Sequence, residues 1–215
     1  ICLCFCLYNS TRAQTVQNIG SMSEMGKENF ATHIRLDTLS NKKHLWGMGP
    51  YGRMQGEITI FDGKPYFSSV TETGTGLVAS SWQVEAPFFV YANVESWKEL
   101  DVEIAFASIA AIEEWVAEVA KKNSLDTEKP FVFRIKGTFD NLTTHIVMPR
   151  SDDVKGYQVG KKQADYNLQN QAGELVGFYS EKHRGIYTHK DSFVHIHFIS
   201  EDVTQMGHLD KIMQT

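Results

Sequence analysis

Three histidines near the end of the chain have the residue type and spacing for metal chemistry. His195 and His197 lie in Phe193-Val194-His195-Ile196-His197-Phe198-Ile199, and His208 follows Met206-Gly207. Successive side chains of a β-strand point to opposite faces, so His195 and His197 stand side by side while Val194, Ile196 and Phe198 fill the other face with core. With a third imidazole returned by a short turn, three nitrogens can reach one ion. Zinc held by three protein ligands keeps its remaining position for water or substrate, the catalytic form of the site. Three neutral imidazoles also leave Zn²⁺ its full double charge, which polarises a carbonyl or lowers the pKa of a bound water towards neutrality. The competing reading is a half-buried strand whose histidines bond to neighbours or to water.

An acid or base beside the metal would complete such a site. Glu57 is the best carboxylate from the middle of the chain, because it opens a strand directly after a glycine turn. As an edge-strand glutamate it would instead face solvent. Glu201 stays in step with His195 and His197 only if their strand continues that far, and Asp210 lies two residues beyond His208. His183 and His189 flank Arg184-Gly185-Ile186-Tyr187 and read as supporting groups or surface, with surface favoured for His183.

The elements that must position these groups are mostly strands. Trp46-Gly47-Met48-Gly49-Pro50-Tyr51-Gly52 reads as a glycine-punctuated turn. Gly56 to Phe61 reads as a strand returning through the Asp62-Gly63 hairpin to Lys64-Pro65-Tyr66-Phe67. Glu57, Thr59 and Phe61 share one face of it, and Ile58 and Ile60 the other. Further strands are expected at 33–36, 77–84, 87–94, 131–136, 142–148, 174–179 and 185–188, with His145 on the face of Thr143 and Val147. A polar loop is expected at 152–171. One helix stands out over 108–122: Ile109, Ile112, Trp115, Val116 and Val119 fall on one side, Ser108 caps it, and its glutamates form a solvated face. The layout predicts an α/β chain of the α+β type, with mixed, strand-dominated sheets or a half-barrel, two packed sheets being one such arrangement, and one main helix. Its sheet edges could pair in a homodimer.

At 215 residues, 42% apolar and 22% charged, the chain has the length and composition of a globular domain. A net charge of −5, with lysines only in isolated pairs, argues against nucleic acid as a partner. No apolar run is long enough to predict a membrane span. All three cysteines lie at Cys2, Cys4 and Cys6, in an octapeptide that looks like the apolar part of a secretory signal peptide with a cleavage region at Ala13-Gln14. Residues 1–14 are therefore read as a signal-peptide remnant and 15–215 as a single domain. Export to the periplasm or beyond is expected on that basis, and a cytoplasmic location without it. The mature chain would hold no cysteine, so its metal site must come from histidine and carboxylate.

From about Leu45 to Lys211 the chain resembles the acetolactate decarboxylase family. The resemblance is carried by Trp46-Gly47-Met48-Gly49, Gly56-Glu57-Ile58, Asp62-Gly63-Lys64-Pro65-Tyr66, Ala86-Pro87-Phe88-Phe89, Phe133 to Phe139 ending in Gly-Thr-Phe, and Gly173-Glu174-Leu175-Val176-Gly177-Phe178. The His195-Ile196-His197-Phe198-Ile199-Ser200 stretch with His208 matches the family's zinc-ligand pattern. The resemblance implies zinc held by His195, His197 and His208, an active-site glutamate at Glu57, and decarboxylation of 2-acetolactate, a small 2-hydroxy-3-keto acid, to acetoin. Two departures stand out. His145 falls where the family carries an arginine, which makes it a candidate for part of that arginine's role. A second family glutamate, beyond the third zinc histidine, has no counterpart before Thr215, and the last residues read as a strand cut short.

Two other readings compete. His195-x-His197-x-x-x-Glu201 has the spacing of a cupin-like metalloenzyme acting on another small chelating acid, and a fourth ligand from Glu201 would support it. The loss of the arginine motivates an exported, non-catalytic metal-binding module.

Overall fold

The computed structural model describes residues 2–5 and 15–214. In chain order the elements are β1 (Cys2–Phe5), β2 (Gln17–Ile19), α1 (Met22–Met25), β3 (Ile34–Arg35), a 3-10 turn (Leu36–Thr38), β4 (Leu45–Tyr51), β5 (Gly56–Phe61), β6 (Lys64–Val70), β7 (Gly76–Ser80), β8 (Glu85–Ala86) and β9 (Phe89–Asn93). They continue with β10 (Lys98–Asp101), α2 (Ile109–Lys122), β11 (Phe131–Val147), β12 (Gln163–Tyr179), β13 (Val194–Ser200) and β14 (Met206–Met213). The strands make two six-stranded sheets, ordered β10-β1-β11-β12-β13-β14 and β2-β9-β4-β5-β6-β7, and a small β3-β8 pair. This is the expected strand-dominated architecture with several sheets and one main helix.

The first sheet closes partly on itself. β11 pairs with β12 on one side and, at its far end, with β14 on the other, while β13 bridges β12 and β14. That closure is the half-barrel, and it curls three histidine-bearing strands towards one another. The helix α2 forms as the 3.6-residue pattern predicts: Ser108 Oγ accepts from the Ala111 N–H at 3.1 Å, and Ile112, Val116 and Ala120 are buried. They pack with Phe133, Phe139, Leu175, Ile196 and Phe198. Each of the larger side chains among them, removed from water, stabilises the fold by roughly 1.5–3 kcal/mol. A second core, of Trp46, Met48, Phe88, Val90, Val132, Val176 and Phe178, joins the two sheets.

Several local expectations are corrected. The glycine stretch from Trp46 is a buried strand, not a turn: a Cβ at Gly47 would lie 2.8 Å from the Phe89 ring and one at Gly49 2.2 Å from the Phe88 carbonyl, so these glycines serve close packing. The two strands expected at 131–136 and 142–148 are one, because Gly137 pairs with Gly173 and Phe139 is buried instead of looping out. The polar loop is shorter than expected, since β12 begins at Gln163. At 185–188 there is an Arg184–Thr188 bridge in place of a strand. The Asp62-Gly63 hairpin forms with both residues at positive φ, 46° and 76°, as a tight two-residue turn requires. Cys2–Phe5, within the segment read as a signal remnant, pairs between β10 and β11, whereas the cleavage region at Ala13-Gln14 lies outside the described residues. No helix among the described residues is long and apolar enough to cross a membrane.

Candidate metal and acid site

Register places the histidines. His208 of β14 stands opposite His197 of β13 on one side and His145 of β11 on the other, so three adjacent strands present three imidazoles in a row. His195 lies two residues along β13, and its ring centroid is 5.0 Å from that of His197 and 5.1 Å from that of His208. Phe88, just before β9, stacks on His195 at 6.1 Å. Val194, Ile196 and Phe198 point into the core behind, as the alternation predicts. Gly207 allows β14 to approach β11 here: a Cβ on it would lie 2.5 Å from the His145 carbonyl oxygen.

Glu57 meets this row from the other sheet. It is 4% exposed, on β5, which is an interior strand and not the solvent-facing edge considered from sequence. One oxygen accepts from the Val147 N–H at 3.3 Å and lies 3.8 Å from His145 Nε2; the other lies 3.8 Å from His197 Nε2. Burial pushes its carboxyl up to about 7, against the opposing pull of His145 and the Val147 N–H. A carboxyl poised there is suited to general acid work near neutral pH. Thr59, two residues on and fully buried, bonds His197 Nδ1 at 2.9 Å and so fixes that ring with Nε2 turned towards Glu57.

His145 Nδ1 donates to both Asp210 oxygens, at 2.9 and 2.8 Å. Asp210 is the extra residue of a β-bulge: Thr143 pairs with Lys211 and Thr144 with Leu209. Bulges re-aim side chains, and this one faces a carboxylate to the imidazole. Burial disfavours protonation of His145, but the Asp210 hydrogen bond and the nearby Glu57 outweigh it and push its pKa up. The other rings go the opposite way. Burial, aided by neighbouring imidazoles, holds His195 and His208 well below the usual histidine range and His197 down to about 3.

His189 joins from the loop before β13, its Nε2 3.2 Å from His208 Nε2. One donor atom each from His189, His195 and His208 lie within 4.8 Å of one another; His197 borders that set, with its ring centroid 5.6 Å from that of His208. Five of the eight histidines therefore gather at one place. Sequence spacing missed the closeness of His189, the hold of Thr59 on His197 and that of Asp210 on His145, because each depends on a loop path, a partner sheet or a bulge. Glu113, expected on the solvated helix face, instead accepts from Ser192 Oγ and the Phe193 N–H at 2.7 Å each. Glu201 is exposed in the turn after β13, away from the histidines, so the cupin spacing is not realised as a fourth ligand.

The donor set fits a metal ion. His195 Nδ1 and His197 Nε2 are buried without a hydrogen-bond partner among the described residues. Buried polar atoms are rarely left so, and an ion is one of the few groups that can satisfy several converging lone pairs. Neutral imidazole nitrogens are also the ligands that zinc and similar divalent metals accept.

Comparisons with known proteins point to one family. An alpha-acetolactate decarboxylase of Streptococcus thermophilus is 24% identical over 165 residues, 76% of this chain and 65% of that protein. One from Lactococcus lactis subsp. cremoris matches at 24% with the same coverage, so the chain spans about two thirds of the length of these relatives. A crystal structure of alpha-acetolactate decarboxylase from Bacillus subtilis superposes with a TM-score of 0.67 at 19% identity, covering 92% of this chain and 80% of that one. A Staphylococcus aureus protein of unknown function, described as similar to alpha-acetolactate decarboxylase, superposes with a TM-score of 0.62 at 18% identity, covering 93% and 81%. Residues 16–214 match the sequence profile of the alpha-acetolactate decarboxylase family, and the chain belongs to that family.

Proposed function

We propose that this protein is a carboxy-lyase that converts 2-acetolactate to acetoin with a zinc ion held by His195, His197 and His208. The observation that carries the reading is Glu57: a buried carboxyl, raised to about 7, set between His145 and His197 at the edge of a cluster of neutral imidazoles. A divalent ion in this cluster supplies Lewis-acid stabilisation of negative charge on the substrate's hydroxyl and ketone oxygens.

The chain's own residues account for the rest. In the reaction the bond between the carboxylate and C2 breaks, CO₂ leaves, and the electron pair becomes the C2=C3 bond of an enediolate with its charge on the former ketone oxygen. One proton must then reach C2. Glu57 delivers it from a fixed position, because the Val147 N–H holds one oxygen and the strand pairing of β5 holds the backbone. His145, kept in place by Asp210, presents Nε2 on the same side and favours an anion beside it when protonated. This is the part of the arginine's role that a histidine can take. Phe88, packed against His195, limits water at the rings.

The test is purified, zinc-loaded protein given 2-acetolactate, with acetoin and CO₂ followed. Turnover that disappears in His195→Ala is expected; turnover no higher than in that variant would sink the assignment. Export belongs to the same reading, motivated by the apolar start of the chain, and recovery of all intact protein from the cytosol on fractionation would remove it.

A further inference from the structure

We propose that His189 is a fourth nitrogen ligand of this metal centre, delivered by the loop before β13 and not by the sheet. The inference rests on the metal reading above and extends it to a residue outside the His-x-His strand and its return.

Distance is the first argument. Two imidazoles on a tetrahedral zinc, each bonded at about 2.0–2.1 Å, have nitrogens roughly 3.3 Å apart. His189 Nε2 and His208 Nε2 are 3.2 Å apart, and one His195 nitrogen lies within 4.8 Å of both. A hydrogen bond between neutral rings would also give such a separation for one pair. It would not account for the third ring, whose lone pair converges on the same space. Converging lone pairs repel unless a cation lies among them.

The loop is the second argument. His189 is an exposed residue, yet it turns Nε2 inward to His208. Its backbone is not free to wander. Thr188 is fully buried and donates from Oγ1 to the Ser192 carbonyl at 2.8 Å. The Gly185 N–H donates to the Thr188 carbonyl at 2.8 Å, and Glu113 of α2 anchors Ser192 and Phe193 on the other side. The loop is thus tied down on both flanks of His189, which sets the ring against the cluster. Four nitrogen ligands would fill a tetrahedral shell, so a chelating substrate would enter by displacing one of them or by expanding the coordination.

The experiment uses the full chain loaded with zinc and titrated with a chelator, and the same protein loaded with cobalt(II) for its visible spectrum. His189→Ala should surrender zinc at about tenfold lower chelator or less, the low end of what even outer-sphere partners cost, with an altered cobalt spectrum. His189→Gln, which can still hydrogen-bond His208, should be equally weak. His183→Ala, in the same loop but bonded to Ser180 and outside the cluster, should behave as wild type. Wild-type affinity and spectrum in His189→Ala, or full rescue by His189→Gln, would overturn the inference and leave the sheet histidines as the metal site. Failure of the wild-type protein to bind zinc would overturn both.

Discussion

Replacing Asp210 by Asn gives a sharp check on how the site is wired. The change keeps the shape of the side chain and removes the charge facing His145. Hydrogen bonds to ionised groups contribute about 1.5–3 kcal/mol. Asp210's side chain is 30% exposed, so water screens it and the low end of that range applies. About 1.4 kcal/mol corresponds to one pH unit. In metal-free protein, a nuclear magnetic resonance titration of the His145 ring should therefore fall by about one pH unit in Asp210→Asn. The sign follows from the carboxylate, which favours the protonated ring. Because the folded-state pKa of His145 is raised, its stabilisation is complete below the unfolded value of about 6.5 and is lost as pH rises through the folded value. The loss of melting temperature in Asp210→Asn should accordingly be larger near pH 5.5 than near pH 9. An unchanged His145 titration, or a deficit that grows in alkali, would refute the role given to Asp210.

Glu57→Gln keeps the volume of the side chain but cannot deliver the proton; acetoin formation should fall on the order of 10²–10⁴-fold while bound zinc is retained, and loss of the metal instead would show that Glu57 acts as a ligand. Thr59→Val removes the hydroxyl that orients His197 and should weaken zinc binding roughly 10–100-fold by equilibrium dialysis. Metal-free protein should be acid-labile. His195, His197 and His208 stay neutral in the fold while the unfolded chain protonates them below about pH 6.5, so each removes roughly 2 kcal/mol of stability by pH 5. Glu57 runs the other way, since its raised pKa returns about 2 kcal/mol over the same interval, and the three histidines outweigh it. Thermal melting that is flat between pH 7 and 5 after chelation would contradict the buried neutral rings.

Local patterns carried much of the architecture. Alternation in Val194-His195-Ile196-His197-Phe198 told which side chains enter the core, and the Asp62-Gly63 turn and the Ser108-capped helix formed where their residue types require. These are consequences of strand and helix periodicity and of turn chemistry, all of which act within a few residues. The errors arose where a distant surface redefined a segment. Gly47 and Gly49 read as a turn until Phe88 and Phe89 are seen lying against them, and Gly137 read as a break until Gly173 is seen opposite it.

The site divides along the same line. His195, His197 and His208 were legible because a strand and its return keep them close at any tertiary arrangement. Glu57 was a candidate from its place after a glycine turn and from the family resemblance, but its meeting with His145 and His197 is decided by the second sheet, which packs β5 against the curled first sheet. Asp210 reaches His145 through a bulge, and His189 reaches His208 through a loop pinned by a helix glutamate. Neither a one-residue register shift nor a loop anchored to a distant helix leaves a periodic trace in the chain, so only the folded structure could bring these two residues to the histidines.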